Sequence, residues 1–172
     1  MGEEYKSLMA NGTWELTPIP KNRTPIDCKW VFRAKRDATG HVVHYKARLV
    51  AEGFLQIEGV DFYKTFALVA KFTTIRCIFA IGAIMDLEMQ QMDVKTAILN
   101  GELDEDMYVV QPKGFVQPGN ENLVCKLKKS LYRLKQSLRA WYQKIDTFLV
   151  QNGFTRSIAD HSLYFMQEDQ YY

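Results

Sequence analysis

The sequence predicts an α+β fold, on three observations. Two alternating runs, CKWVFRAKR and HVVHYKARLVA, flank the turn DATG, the pattern of a β-hairpin. Two stretches, TTIRCIFAIGAIMDLE and SLRAWYQKIDTFLVQNGF, carry apolar residues at helical spacing. Strands and helices mix without regular β-α-β alternation, which favours α+β over a parallel sheet.

In chain order, residues 1–13 read as a short helix or a frayed lead-in. Pro18, Pro20 and Pro25 keep residues 14–27 extended or looped. In the hairpin, Asp37 and Gly40 supply the turn chemistry. Lys29, Val31, Arg33 and Lys35 share one face, and Trp30, Phe32 and Ala34 the other. On the return strand Tyr45, Ala47 and Leu49 oppose His44, Lys46 and Arg48, so one face is apolar and the other strongly basic. GFLQIEGVDFYKTFALVAKF is irregular. Thr73 or Thr74 is the candidate cap of the first long helix, which puts Ile75, Ile78, Phe79 and Gly82 on one side.

MQQMDV is expected as a short strand. KTAILNG turns away into a short helix that Gly101 stops. MYVVQP is a strand closed by Pro112, and LVCKL is another, just after the Pro118-Gly119 turn. Ser137 is the candidate cap of the best helix, where Trp141, Ile145, Phe148 and Leu149 repeat and Asn152-Gly153 ends the run. The aromatics Trp141, Tyr142, Phe148 and Phe154 are expected in the core. HSLYFMQEDQYY reads as a strand running into a polar turn, and the acids from Glu102 to Asp106 as a solvated turn.

The 172 residues suffice for one domain with a real core, at 47% hydrophobic and 24% charged. No segment has the roughly 20 apolar residues of a bilayer span, so no membrane is expected. The first residues carry acids and no apolar run, unlike a signal peptide, and Lys6 stands where an N-myristoylation motif wants Ser or Thr. Cys28, Cys77 and Cys125 are odd in number and form no CxxC pair. That argues against a disulfide framework and for a reducing compartment, cytoplasmic or nuclear rather than secreted. His41 and His44 point to opposite faces of a strand and make a poor zinc pair.

Net charge is +2, but it is unevenly placed. Lys and Arg dominate from Lys29 to Arg48 and from Cys125 to Lys144, while acids dominate from Asp86 to Asp106. Two basic segments make a polyanionic partner plausible. Asp93 raises a separate question. In QQMDVKTAILNGEL it sits between Met92 and Val94, in a stretch that otherwise reads as buried. A carboxylate there needs a partner, a function or a route to solvent. Spacing alone favours a cap or a salt bridge to a nearby Lys over a metal ligand.

NGTWELTPIP, CKWVFRAKRDATGHVVHYKARLVAEGFLQIEGVDFYKTF, QQMDVKTAILNGEL, MYVVQPKGF, LVCKLKKSLYRLKQSLRAWY and NGFTRSIADHSLYF occur in this order across nearly the whole chain. In that order and spacing the chain resembles the reverse transcriptase of copia-type (Ty1-like) LTR retrotransposons. The resemblance implies a fragment of a right-hand polymerase fold, fingers plus an incomplete palm, with a mixed or antiparallel sheet and packed helices. Residues 1–172 would form a single partial domain. About 14–72 would be the fingers hairpin region, 73–110 the palm segment with Asp93, 111–139 a fingers-like return, and 140–172 a truncated palm helix and strand.

The implied activity is RNA-directed DNA polymerisation, adding deoxynucleotides to a primer on an RNA or DNA template. The implied cofactor is Mg2+, with Mn2+ as a substitute. The implied partners are a primer–template, deoxynucleoside triphosphates and the rest of a Pol polyprotein. Asp93 would be catalytic and the metal ligand. Lys46 and Arg48 would hold the triphosphate, Val94, Ile98 and Gln136 would line the nucleotide site, and Lys29, Arg33 and Lys35 would touch template or primer. A non-catalytic nucleic-acid-binding module and a remnant without function stay open as alternatives.

The chain departs from the family pattern at several positions. AFLNG reads AILNG, placing Ile98 where an aromatic would block the ribose 2′-hydroxyl. Leu68 and Leu138 replace prolines, and Arg133 replaces a glycine. If that glycine holds positive φ, the replacement costs about 1 kcal/mol or more. The family's Tyr-Val-Asp-Asp hairpin should follow HSLYF, but the sequence reaches Tyr172 without it, and Glu168-Asp169 is no substitute. The chain alone is therefore expected not to polymerise.

Overall fold

In the computed structural model, residues 1–65, 67 and 69–166 are described. Leu68 and the Glu168-Asp169 pair lie outside them. Ten elements follow in order: α1 (Gly2–Ala10), β1 (Trp14–Thr17), β2 (Cys28–Arg36), β3 (Val42–Ala51), α2 (Phe72–Ile84), β4 (Glu102–Val109), β5 (Val124–Lys129), α3 (Ser137–Gln151), β6 (Thr155–Arg156) and β7 (Tyr164–Phe165). The fold is α+β, and every strand pair in its sheets is antiparallel.

The stretch expected to be extended or looped begins extended. Residues 14–17 form β1, which pairs with β5, and β5 pairs with β4 in a three-stranded sheet of order β1-β5-β4. The acids 102–106 are not a turn but the first half of β4. Their charges are tolerated on a strand because partners meet them from neighbouring elements: Lys126 pairs Asp106 at 2.7 Å and Lys144 pairs Glu102 at 2.6 Å. The core joins this sheet to the base of the hairpin and to α1, through Leu8, Trp14, Ile26, Leu49, Leu99, Met107, Val109, Leu127 and Leu131.

The hairpin forms as expected, with Arg33 opposite Lys46 and Val31 opposite Arg48. The Asp37 carboxylate closes its turn by accepting the Thr39 and His41 amides, each at 2.9 Å. Its apolar face is buried only at the base. Leu49 is buried, whereas Phe32 is 64% and Tyr45 77% exposed, because the hairpin outreaches the body.

Three cap and strand assignments change. Neither Thr73 nor Thr74 caps α2; Lys71 holds the cap position. The distant Asp160 serves instead, accepting the Lys71 amide at 3.2 Å and the Thr74 hydroxyl at 2.6 Å. Gln136, not Ser137, holds the cap position of α3, and the Ser137 hydroxyl donates back to Leu131 and Leu134 carbonyls at 2.7 and 3.0 Å. MQQMDV has no regular secondary structure and joins no sheet among the described residues, and it is exposed throughout. A strand is stable only with a ladder partner, and among the described residues none lies beside it. The same lack of a neighbour exposes α2: Ile75, Ile78 and Phe79 are 36%, 43% and 59% exposed, and only Gly82 is buried. Phe148 on α3 is likewise exposed, while Trp141, Tyr142 and Phe154 are half-buried.

Two predictions arise here. Arg133 has φ of +70°, the left-handed region where a side chain is strained, and it is exposed, so its side chain makes no core contact. Arg133→Gly therefore stabilises the chain by about 1 kcal/mol, read as a rise in the urea midpoint at constant slope. The second concerns Asp160. The Thr74 hydroxyl, then the Ser162 and Lys71 amides, hold its carboxyl below the ordinary value. A depressed folded pKa stabilises the fold above the unfolded value, about 3.9, and that stability is lost as pH falls through the lowered one. A carboxyl-detected NMR titration of Asp160 is expected to show a midpoint below that of an unfolded peptide.

Candidate functional site

The basic face of the hairpin bends over a cleft of about 450 Å³. Lys46 and Arg48 of β3 line it from one side, the segment Asp93–Ile98 from another, and Tyr132 joins them. β3 aims both cations the same way because they lie two residues apart on a strand. Arg48 is half-buried and lies over the Tyr132 ring, 5.4 Å from its centroid. That cation–π contact fixes the guanidinium at the cleft. Burial pushes the Tyr132 phenol up, and the neighbouring Glu4 adds to it.

The opposite wall is shaped by backbone geometry. Thr96 adopts φ of +53°, rare for a β-branched residue, and starts the 3-10 turn Ala97–Asn100. Leu99 anchors that turn in the core. Gly101 ends it against α3, where an added Cβ would lie 2.8 Å from the Trp141 nitrogen, and its carbonyl accepts the Ser130 amide at 2.7 Å. This anchoring holds Ile98 at the cleft, which Asp93 also lines. Strain of this kind concentrates at sites with a function.

Asp93 is exposed, and neighbouring Met92 and Val94 are 87% and 48% exposed. The stretch is thus not buried, and the carboxylate has its route to solvent. Among the described residues no three His, Cys, Asp or Glu side chains gather as a metal site, and Asp93 is the cleft's carboxylate. One carboxylate in a cleft lined by three cations, Lys46, Arg48 and Lys95, suits a metal ion that arrives with phosphate. Mg2+ takes one or two carboxylates and fills its remaining positions with phosphate and water oxygens.

The structure brings Lys46, Arg48, Asp93, Val94 and Ile98 together and leaves Gln136 out. Gln136 is 2% exposed and faces a second cavity of about 490 Å³. Its side-chain oxygen accepts from Gln56 Nε2 at 3.0 Å, and its Nε2 donates to the Asp61 carbonyl at 3.1 Å. Both ends of its amide are occupied. Lys29 pairs with Glu52 at 2.7 Å, while Arg33 and Lys35 stand exposed further out on the same basic face as Lys46. Tyr132, Thr96 and Lys95 also line the cleft and were missed. Tyr132 lies in a basic run whose charge pattern hides it, and no sequence signal marks the left-handed Thr96.

A protein family described as reverse transcriptase (RNA-dependent DNA polymerase) matches residues 11–170. The chain is 48% identical over 165 residues to the Retrovirus-related Pol polyprotein from transposon TNT 1-94 of Nicotiana tabacum, covering 96% of this chain and 12% of that one. It is 41% identical to the Retrovirus-related Pol polyprotein from transposon RE1 of Arabidopsis thaliana, over 97% of this chain and 12% of that one. It is 30% identical to the Transposon Ty1-DR4 Gag-Pol polyprotein of Saccharomyces cerevisiae, over 87% of this chain and 9% of that one. No solved structure matches.

Proposed function

The chain belongs to the reverse transcriptase (RNA-dependent DNA polymerase) family of retrotransposon Pol polyproteins, and on that premise we propose that its cleft binds the triphosphate of an incoming nucleotide with Mg2+. The observation that carries this is the convergence of Lys46, Arg48 and Asp93 on one open cleft from elements more than forty residues apart. Lys46 and Arg48 neutralise phosphate oxygens through charge-assisted hydrogen bonds. Asp93 supplies the carboxylate that holds Mg2+, which when bound offsets charge on the transferring phosphoryl group. Ile98, on the same wall, meets the sugar. Polymerisation needs further carboxylates to hold a second metal ion. The chain spans about 12% of the length of these plant relatives. The same reading makes the right-hand polymerase fold the frame around this cleft.

The hairpin's outer face binds the primer–template. Arg33 sits directly opposite Lys46, an arrangement of like charges that destabilises a free hairpin and that phosphate relieves. Replacing Arg33 and Lys35 by Ala together weakens primer–template binding and lowers the slope of log affinity against log salt by about 2. Fluorescence anisotropy across a salt series measures both. An unchanged slope removes the hairpin from the nucleic-acid interface. If binding proves salt-sensitive but indifferent to Mg2+ and deoxynucleotide, the chain is a nucleic-acid-binding module instead.

A further inference from the structure

We propose that Glu4, on the N-terminal helix, is a positioning residue for Arg48, an inference that rests on the cleft binding phosphate. Two polar atoms near this cleft are fully buried without a hydrogen-bond partner: Glu4 Oε1 and Arg48 Nε. An orphaned carboxylate oxygen and an orphaned guanidinium N–H are each costly alone and are complementary to each other. α1 packs on β3. Glu4 lies in reach of the Leu49 amide and of the charges of Lys46 and Arg48. Among the described residues it forms no ion pair, so the contact is poised rather than made.

Arg48 has two donor edges. Nε is buried and unpartnered, and the side chain also lines the cleft beside Tyr132. A carboxylate bonded to the inner edge fixes the plane of the guanidinium and leaves its outer N–H groups to a phosphate. When an anion draws Arg48 into place, Glu4 Oε1 accepts from Nε, and both orphaned atoms become satisfied. Glu4 thus acts on the ligand only through Arg48. Helix α1 thereby becomes part of the phosphate site, although it contributes no residue to the cleft lining.

Binding of inorganic tripolyphosphate to the full chain by calorimetry tests this, with Glu4→Gln, Glu4→Asp, Arg48→Met and the Glu4→Gln/Arg48→Met double variant. Glu4→Gln is expected to weaken binding about tenfold, the usual scale for an outer residue that orients a ligand-binding one. Glu4→Asp keeps the charge and most of the affinity. The double variant binds no worse than Arg48→Met alone. A wild-type affinity in Glu4→Gln, or losses that multiply in the double variant, overturns the proposal. The Arg48 Nε–H NMR signal recorded with tripolyphosphate bound gives a second readout: it shifts and exchanges faster in Glu4→Gln than in the wild type, and an unchanged signal overturns the proposal. Should tripolyphosphate bind neither wild type nor variants, the phosphate reading of the cleft fails and the role of Glu4 with it; binding to the wild type with unchanged affinity in Glu4→Gln overturns the role of Glu4 alone.

Discussion

Gly53→Ala leaves the chain unable to fold. A Cβ at this position would lie 2.0 Å from the Arg133 carbonyl oxygen and 3.0 Å from its carbon. The obstacle is backbone, so no rotamer change clears it. The two segments that must separate are also bonded to each other. Gln56 Oε1 accepts the Lys135 amide at 2.7 Å, its Nε2 donates to Gln136, and the Ala51 amide donates to the Tyr132 carbonyl at 3.0 Å. Forcing them apart adds steric cost of about 1–3 kcal/mol and strands buried polar groups at about 1–3 kcal/mol each. The sum rivals the roughly 5–15 kcal/mol that hold a domain together. Circular dichroism and urea melts should show a chain without a cooperative transition. Gly40→Ala is the control: its Cβ meets nothing within 4 Å, so only the φ of +89° opposes it, a cost of about 1 kcal/mol.

Replacing Lys46 and Arg48 by Met together lowers affinity for a magnesium–deoxynucleotide complex at least about a hundredfold. Each cation contributes a charge-assisted hydrogen bond to phosphate, worth about 1.5–3 kcal/mol, and the two act on one ligand. Met preserves much of each apolar stem, so packing against Tyr132 survives and the loss reports charge. Calorimetry on the full chain measures it, with a thermal melt to show that the fold persists. A loss under threefold would mean that phosphate binds elsewhere.

The parts of the fold governed by local rules were legible in the sequence. The hairpin, its Asp37 turn, α2, α3 and the stop at Gly101 follow from alternation, helical spacing and turn residues. What failed depended on residues distant in sequence. Asp160 caps a helix that begins nearly ninety residues earlier, so the nearby threonines misled. The 102–106 acids became a strand because Lys126 and Lys144 come to meet them. MQQMDV lacks a strand beside it, which no pattern within the segment reveals. At the cleft, Asp93, Lys46, Arg48 and Ile98 were named from motif resemblance, and their convergence is tertiary. Tyr132 and Thr96 needed the folded backbone. Gln136 was also named from a motif; it lies outside this cleft, with its amide bonded to Gln56 and Asp61.

The most direct test of the cleft is paramagnetic. Mn2+ substitutes for Mg2+ and broadens the NMR signals of nearby nuclei, so titrating it with a deoxynucleoside triphosphate into the labelled chain maps the metal. The expected result is broadening centred on residues 93–96 and on Lys46–Arg48, abolished by Asp93→Asn. Broadening centred instead on the acids of β4, and indifferent to Asp93→Asn, would contradict it.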